Sequence, residues 1–131
     1  MNKDLTEEDM LMLGPLQLAY IGDAVFELMV RTYILERDLS VSQLHKASTK
    51  YVKAGGQSEI YHLIEAFLTE EEKTIVRRGR NAKSHTSPKN ADMIDYKYAT
   101  GFEALMGYLY ITNKSQRLSE IFNIIIDLKN I

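Results

Sequence analysis

Apolar residues recur along this chain at intervals of three and four, and no stretch alternates apolar with polar as a half-buried strand does. Thr6, followed three residues later by Asp9, resembles a capping pair for a short first helix with Met10, Leu11 and Leu13 on its apolar side and an end near Gly14. Pro15 suits the first turn of a second helix, where its missing N–H costs nothing, and the helical pattern behind it continues to about Arg37. Leu16, Ala19, Tyr20, Ala24, Val25, Phe26, Leu28, Met29, Val30 and Tyr33 leave that helix little room for a solvated face. It is therefore expected to run through the centre of the fold.

Ser40 is placed to cap a third helix reaching about Lys53, with Gly55-Gly56 as the break after it. Ile60, Tyr61, Leu63, Ile64 and Phe67 mark a fourth helix, and Thr69 caps a fifth that runs through Arg78 and stops at Gly79. Residues 80–90 have no apolar period and read as a long loop, a kind of segment often tied to function. A sixth helix over about 91–111 and a seventh over about 115–128 complete the pattern. The expectation is an all-α bundle of about seven helices.

A chain of 131 residues makes one domain, long enough to bury a core without covalent staples. Cysteine is absent, which excludes a disulfide framework and thiolate metal sites and makes the cytoplasm the natural setting. The acidic first residues lack the apolar core of a signal peptide. The apolar tract near Leu105 to Thr112, interrupted by Gly107, falls well short of the roughly 20 residues a membrane span needs.

Two carboxylates contradict the pattern that surrounds them. Asp23 sits in Leu18-Ala-Tyr-Ile-Gly-Asp-Ala-Val-Phe-Glu27 and Glu103 in Gly101-Phe-Glu-Ala-Leu-Met-Gly107, with no cation one helical turn away from either. A buried charge costs several kcal/mol unless it is paired or binds a metal, so two on separate helices imply a shared cation. Gly22 on one helix and Gly101, Ala104 and Gly107 on the other are small enough to let the two backbones approach and bring the acids together. Oxygen donors of this kind suit Mg²⁺ with retained waters, and such a site suits phosphodiester chemistry. Asp23, Glu27 and Arg31 share a helix stripe; Arg31 reads as the ion-pair partner of Glu27, which is left open as an outer carboxylate beside the metal.

The net charge of −2 hides an uneven distribution. Every formal charge from Arg77 to Lys89 is positive, and Arg77, Arg78, Arg80, Asn81, Lys83 and Lys89 suit contacts to RNA phosphates and 2′-hydroxyls. Lys46, Lys50 and Lys53 share one helix face, more simply a solvated surface. His45, His62 and His85 lack zinc spacing, and no phosphate-binding Gly-rich loop precedes a Lys-Ser or Lys-Thr pair, so metalloprotease and NTPase readings fail.

The segment from Leu18 to Glu27 resembles the signature helix of the ribonuclease III family, and Gly101-Phe-Glu-Ala-Leu105 resembles its second acidic motif. Pro15-Leu-Gln-Leu-Ala-Tyr-Ile-Gly-Asp23, Arg78-Gly-Arg-Asn-Ala-Lys83 and the Ser-Pro-Lys-Asn stretch that follows are similar to Mini-ribonuclease III, the branch made of the catalytic domain alone. The resemblance implies a ribonuclease III-like endonuclease domain over residues 1–131 with no separate double-stranded RNA-binding domain, so that the catalytic domain itself grips RNA. It implies a Mg²⁺-dependent homodimer that cuts both strands of an RNA duplex to leave short staggered ends, in maturation of the 23S ribosomal RNA precursor. Family members carry four acids at the metal site, and the motifs align those positions with Ala19, Asp23, Thr100 and Glu103, so only two acids remain. Tyr20 aligns with the position that plugs the partner subunit. Asp23 and Glu103 are the expected catalytic metal ligands, with one cation held largely through waters and RNA phosphate oxygens.

Two rivals make different predictions. A non-catalytic double-stranded RNA-binding scaffold with this fold binds duplex without metal-stimulated cutting, though a scaffold has no reason to keep two buried acids. A helical protein-interaction module shows no steep salt dependence of RNA affinity.

Overall fold

Helix α1 (Pro15–Ile34) starts at Gly14, whose N–H donates to Gln17 Oε1 at 2.8 Å, and buries one stripe: Leu18, Ala19, Gly22, Phe26, Val30 and Ile34. The computed structural model of the chain describes residues 6, 8–9, 12–83 and 92–131. Within them, Thr6 and Asp9 exchange the expected capping hydrogen bonds at 3.1 and 3.0 Å, while Met10 and Leu11 lie outside the described residues. Helix α1 ends at Ile34, short of the expected Arg37. Leu35, Glu36 and Arg37 are exposed, so no core contact extends the helix, and Leu35 and Arg37 donate to carbonyls three residues back.

Helix α2 (Val41–Val52) has the expected cap, with Gln43 N donating to Ser40 Oγ at 3.2 Å and Ser40 N to Gln43 Oε1 at 2.9 Å. The break after it falls at Lys53, in extended backbone, and not at Gly55-Gly56. Both glycines lie in the first turn of α3 (Ala54–Ile64); a β-carbon at Gly56 would collide with the Lys50 carbonyl oxygen at the corner between the helices, whereas one at Gly55 would meet open space. A 3₁₀ turn (Glu65–Phe67) leads to α4 (Glu70–Asn81), capped by Thr69 and Glu72.

Gly79, expected to stop α4, lies inside it. A β-carbon there would stand 2.8 Å from Gly101 Cα and 3.0 Å from Ala104 Cβ, so this glycine serves helix contact rather than termination. Helix α5 (Met93–Ile111) is capped by Asp92, which accepts from Ile94 N at 2.7 Å, and α6 (Ser115–Lys129) closes the bundle. The architecture is all-α: six α-helices and one 3₁₀ turn among the described residues, with no strand. No described helix is long and apolar enough to cross a membrane.

The central element is α5, not α1. Helix α5 is buried over most of its second half, from Ala99 to Leu109, and packs against α1, α3, α4 and α6. Helix α1 keeps an open face, on which Tyr20 is 79% and Leu28 66% exposed. The small residues of α5 account for the exchange, since they let neighbours close on it from several sides. Phe26 and Phe102 meet edge to face at 4.9 Å in the core beside the α1–α5 crossing. Away from it, Arg117 on α6 ties α4 down, with Nε 2.8 Å from buried Glu72 and an amino group 2.8 Å from the Phe67 carbonyl.

At that crossing the backbones touch. A β-carbon at Gly22 would collide with the Glu103 carbonyl oxygen, and one at Gly107 with the Leu18 carbonyl oxygen. Gly22→Ala therefore forces α1 and α5 apart, and urea unfolding is expected to show a loss of about 1–3 kcal/mol or more; unchanged stability would contradict this packing.

Candidate active site

Asp23 follows Ala19 by one turn on α1, and Tyr96, Thr100 and Glu103 fall on one face of α5 at the same kind of spacing. The Gly22–Gly107 crossing turns these two faces toward each other. With Leu16 and Tyr20 they line one open cavity of about 190 Å³. All four positions that the family motifs align with metal-site acids are therefore gathered there, as Ala19, Asp23, Thr100 and Glu103. Thr100 Oγ1 donates to the Tyr96 carbonyl at 2.9 Å.

Asp23 is exposed and Glu103 half-buried, and their carboxyls share a hydrogen bond. Burial, followed by the hydrogen bond to Asp23 and its charge, pushes the Glu103 carboxyl up to about 8, while the amide of Gln57 pulls the other way. Among the described residues no lysine, arginine or histidine forms an ion pair with either acid. Nor do three or more His, Cys, Asp or Glu side chains cluster there to make a protein cage for a metal. Two hard oxygen donors on the wall of an open cavity fit a cation that keeps most of its coordination for water and a ligand.

The other residues singled out from the sequence are more dispersed. Glu27 does not line the cavity; its Oε1 takes an ion pair from Arg31 at 3.0 Å on the exposed side of α1. Tyr20 stands on the cavity rim. Arg77 and Arg78 are exposed on α4, whose close contact at Gly79 puts its last turns against the Thr100–Gly101 backbone. Arg80 and Asn81 belong to this helix rather than to the expected loop. The Arg80 guanidinium is held 3.3 Å from the Tyr98 hydroxyl and 5.3 Å over its ring, which anchors the helix end and explains the extra turn. Lys83 is exposed just beyond α4, and Lys89 lies outside the described residues.

Two site residues went unread in the sequence. Tyr96 was legible, because it shares the helical face of Thr100 and Glu103. Gln57 was not. It is 1% exposed on α3, lies against the Glu103 carboxyl, and directly follows a glycine pair that reads locally as a break.

A family model described as the Ribonuclease III domain matches residues 16–114, which include both acids. The Mini-ribonuclease 3 of Clostridium tetani is 47% identical over 98% of this chain and 86% of its own length. That of Thermoanaerobacter sp. is 52% identical over 92% of this chain and 85% of its own. A crystal structure of a Fusobacterium nucleatum protein superposes with a TM-score of 0.81 at 37% identity, covering 87% of this chain and 93% of that one.

Because its pKa is raised on folding, Glu103 favours the folded state fully below its unfolded value near 4.5 and progressively less as pH rises toward about 8. In chelator, thermal unfolding is expected to drop across that window, with Asp23 as the like charge and Gln57 as a neutral neighbour, and Glu103→Gln is expected to flatten the drop. A Glu103→Gln profile parallel to wild type would contradict the assignment.

Proposed function

The chain belongs to the ribonuclease III family, in its Mini-ribonuclease 3 branch, and from that premise we propose that it is a homodimeric, Mg²⁺-dependent endoribonuclease of double-stranded RNA acting on the 23S ribosomal RNA precursor. The observation that carries this reading is the pair formed by Asp23 and Glu103, two carboxyls in contact at the wall of an open cavity, with no cationic side chain among the described residues ion-paired to either. Such an arrangement costs stability and is of use only where a cation is recruited.

In this reading Asp23 and Glu103 are the side chains that hold Mg²⁺. The ion, when bound, supplies positive charge at the scissile phosphate and lowers the pKa of water for hydrolysis. The chain's own contribution is position. Helix α5 fixes Glu103 through its packed neighbours Phe102 and Ala104, both 0% exposed, and α1 presents Asp23 one turn from Ala19, where a methyl group leaves room for RNA. Arg77, Arg78, Asn81 and Lys83 grip the phosphate backbone, joined by Lys89 and in part by Arg80.

Exposure of Tyr20 and Leu28 on α1 supports a self-complementary interface on that face. A two-fold dimer matches the approximate two-fold symmetry of a duplex backbone and offers one Asp23–Glu103 pair to each strand. The ribosomal substrate follows from the branch resemblance, and the open basic end of α4 is compatible with it.

Purified protein incubated with a long RNA duplex and Mg²⁺ is expected to produce short double-stranded fragments, and none in chelator. Asp23→Asn and Glu103→Gln are each expected to abolish cutting while the helical circular-dichroism spectrum is kept. Full activity in either variant, or duplex binding without metal-stimulated cutting in the wild type, refutes the proposal.

A further inference from the structure

Among the described residues, the buried side-chain polar atom without a hydrogen-bond partner is Gln57 Nε2. Native proteins rarely leave such a donor orphaned, because it loses its water and gains nothing in exchange. Gln57 is held there firmly. It is 1% exposed, its backbone N–H donates to the Lys53 carbonyl at 3.0 Å, and its neighbours Gly56 and Ser58 are also buried. Its buried amide lies beside the Glu103 carboxyl.

We propose that Gln57 is a positioning residue for Glu103, its Nε2 being the donor that fixes one carboxylate oxygen so that the other is presented to the cation. The inference rests on the reading of Asp23 and Glu103 as metal ligands. In the arrangement described, the Glu103 carboxyl lies between Asp23 and the Gln57 amide, and Nε2, though beside that carboxyl, completes no hydrogen bond. With a cation held by the two acids, Glu103 would be ionised and the amide beside it could donate to the carboxylate oxygen that the ion leaves free. A neutral amide suits this task better than lysine or arginine, since it orients the carboxylate without cancelling the charge that attracts the ion. It also does so better than a third acid, which would add repulsion in a buried setting.

Gln57→Met keeps length and bulk and deletes the donor. Calorimetric titration with Mn²⁺, without RNA, is expected to show affinity about 10- to 100-fold weaker than wild type. Thermal unfolding in chelator is expected to be unchanged or raised, because an orphaned donor has been removed. A purely structural glutamine gives the reverse, lower stability and unaltered Mn²⁺ affinity, and that result overturns the inference. Asp23→Asn serves as the reference: if it loses Mn²⁺ while Gln57→Met binds normally, only the role of Gln57 falls, and if it too binds normally the metal-site reading falls with it. Should Gln57→Met not fold, the wild type still decides. With isotope-labelled glutamine, the Gln57 side-chain amide signal is expected to move downfield on Mg²⁺ addition, and an unmoved signal overturns the proposal.

Discussion

Two backbones, α1 and α5, meet at Gly22 and Gly107 with no room for a side chain between them. Every feature of the cavity follows from this contact. One residue beyond Gly22 is Asp23, and the carbonyl that Gly22 touches belongs to Glu103, so the distance between the two acids is set by main chain rather than by flexible side chains. Two carboxyls held in this way repel when both are ionised, and the fold sustains that cost through packing elsewhere. Phe26 against Phe102, the buried length of α5 and the Glu72–Arg117 tie supply stability without touching the cavity.

The same device recurs on another side of α5, where Gly79 meets Gly101. This second contact docks α4 and determines where the basic residues lie. Arg77 and Arg78 remain exposed, while Arg80 turns inward onto Tyr98, which itself stacks on Tyr61 at 5.4 Å. The net charge of −2 is thus the sum of opposed regions, an acid pair at one crossing and a cationic end of α4 at the next. Under the proposed function, such separation would suit a polyanion recognised through a bound cation, with attraction along the backbone and a local negative site for the ion.

Much of this was legible in the residues. Capping by Ser40 and Thr69, the start at Pro15, the helix over Ser115–Lys129 and the meeting of Asp23 with Glu103 all follow from local rules, because caps act within one turn and an isolated acid in an apolar helix demands a partner. The errors concern glycine and centrality. Gly55, Gly56 and Gly79 look like helix breakers, yet all three are helical; at Gly56 and Gly79 a neighbouring backbone excludes a β-carbon, information carried by the partner and not by the local run. Likewise α1 appeared central because its apolar residues surround it, but an apolar surface can equally remain open, as Tyr20 and Leu28 do. Gln57 escaped notice since an amide near glycine has no pattern to violate; only three-dimensional burial marks it.

The central claim is that the carboxylates of Asp23 and Glu103 hold one divalent ion between them. Anomalous diffraction from crystals soaked in Mn²⁺ tests it directly. The account predicts one strong peak per chain within coordination distance of an oxygen from each carboxylate. A peak bound by one of them alone, or strong peaks only elsewhere, would contradict it.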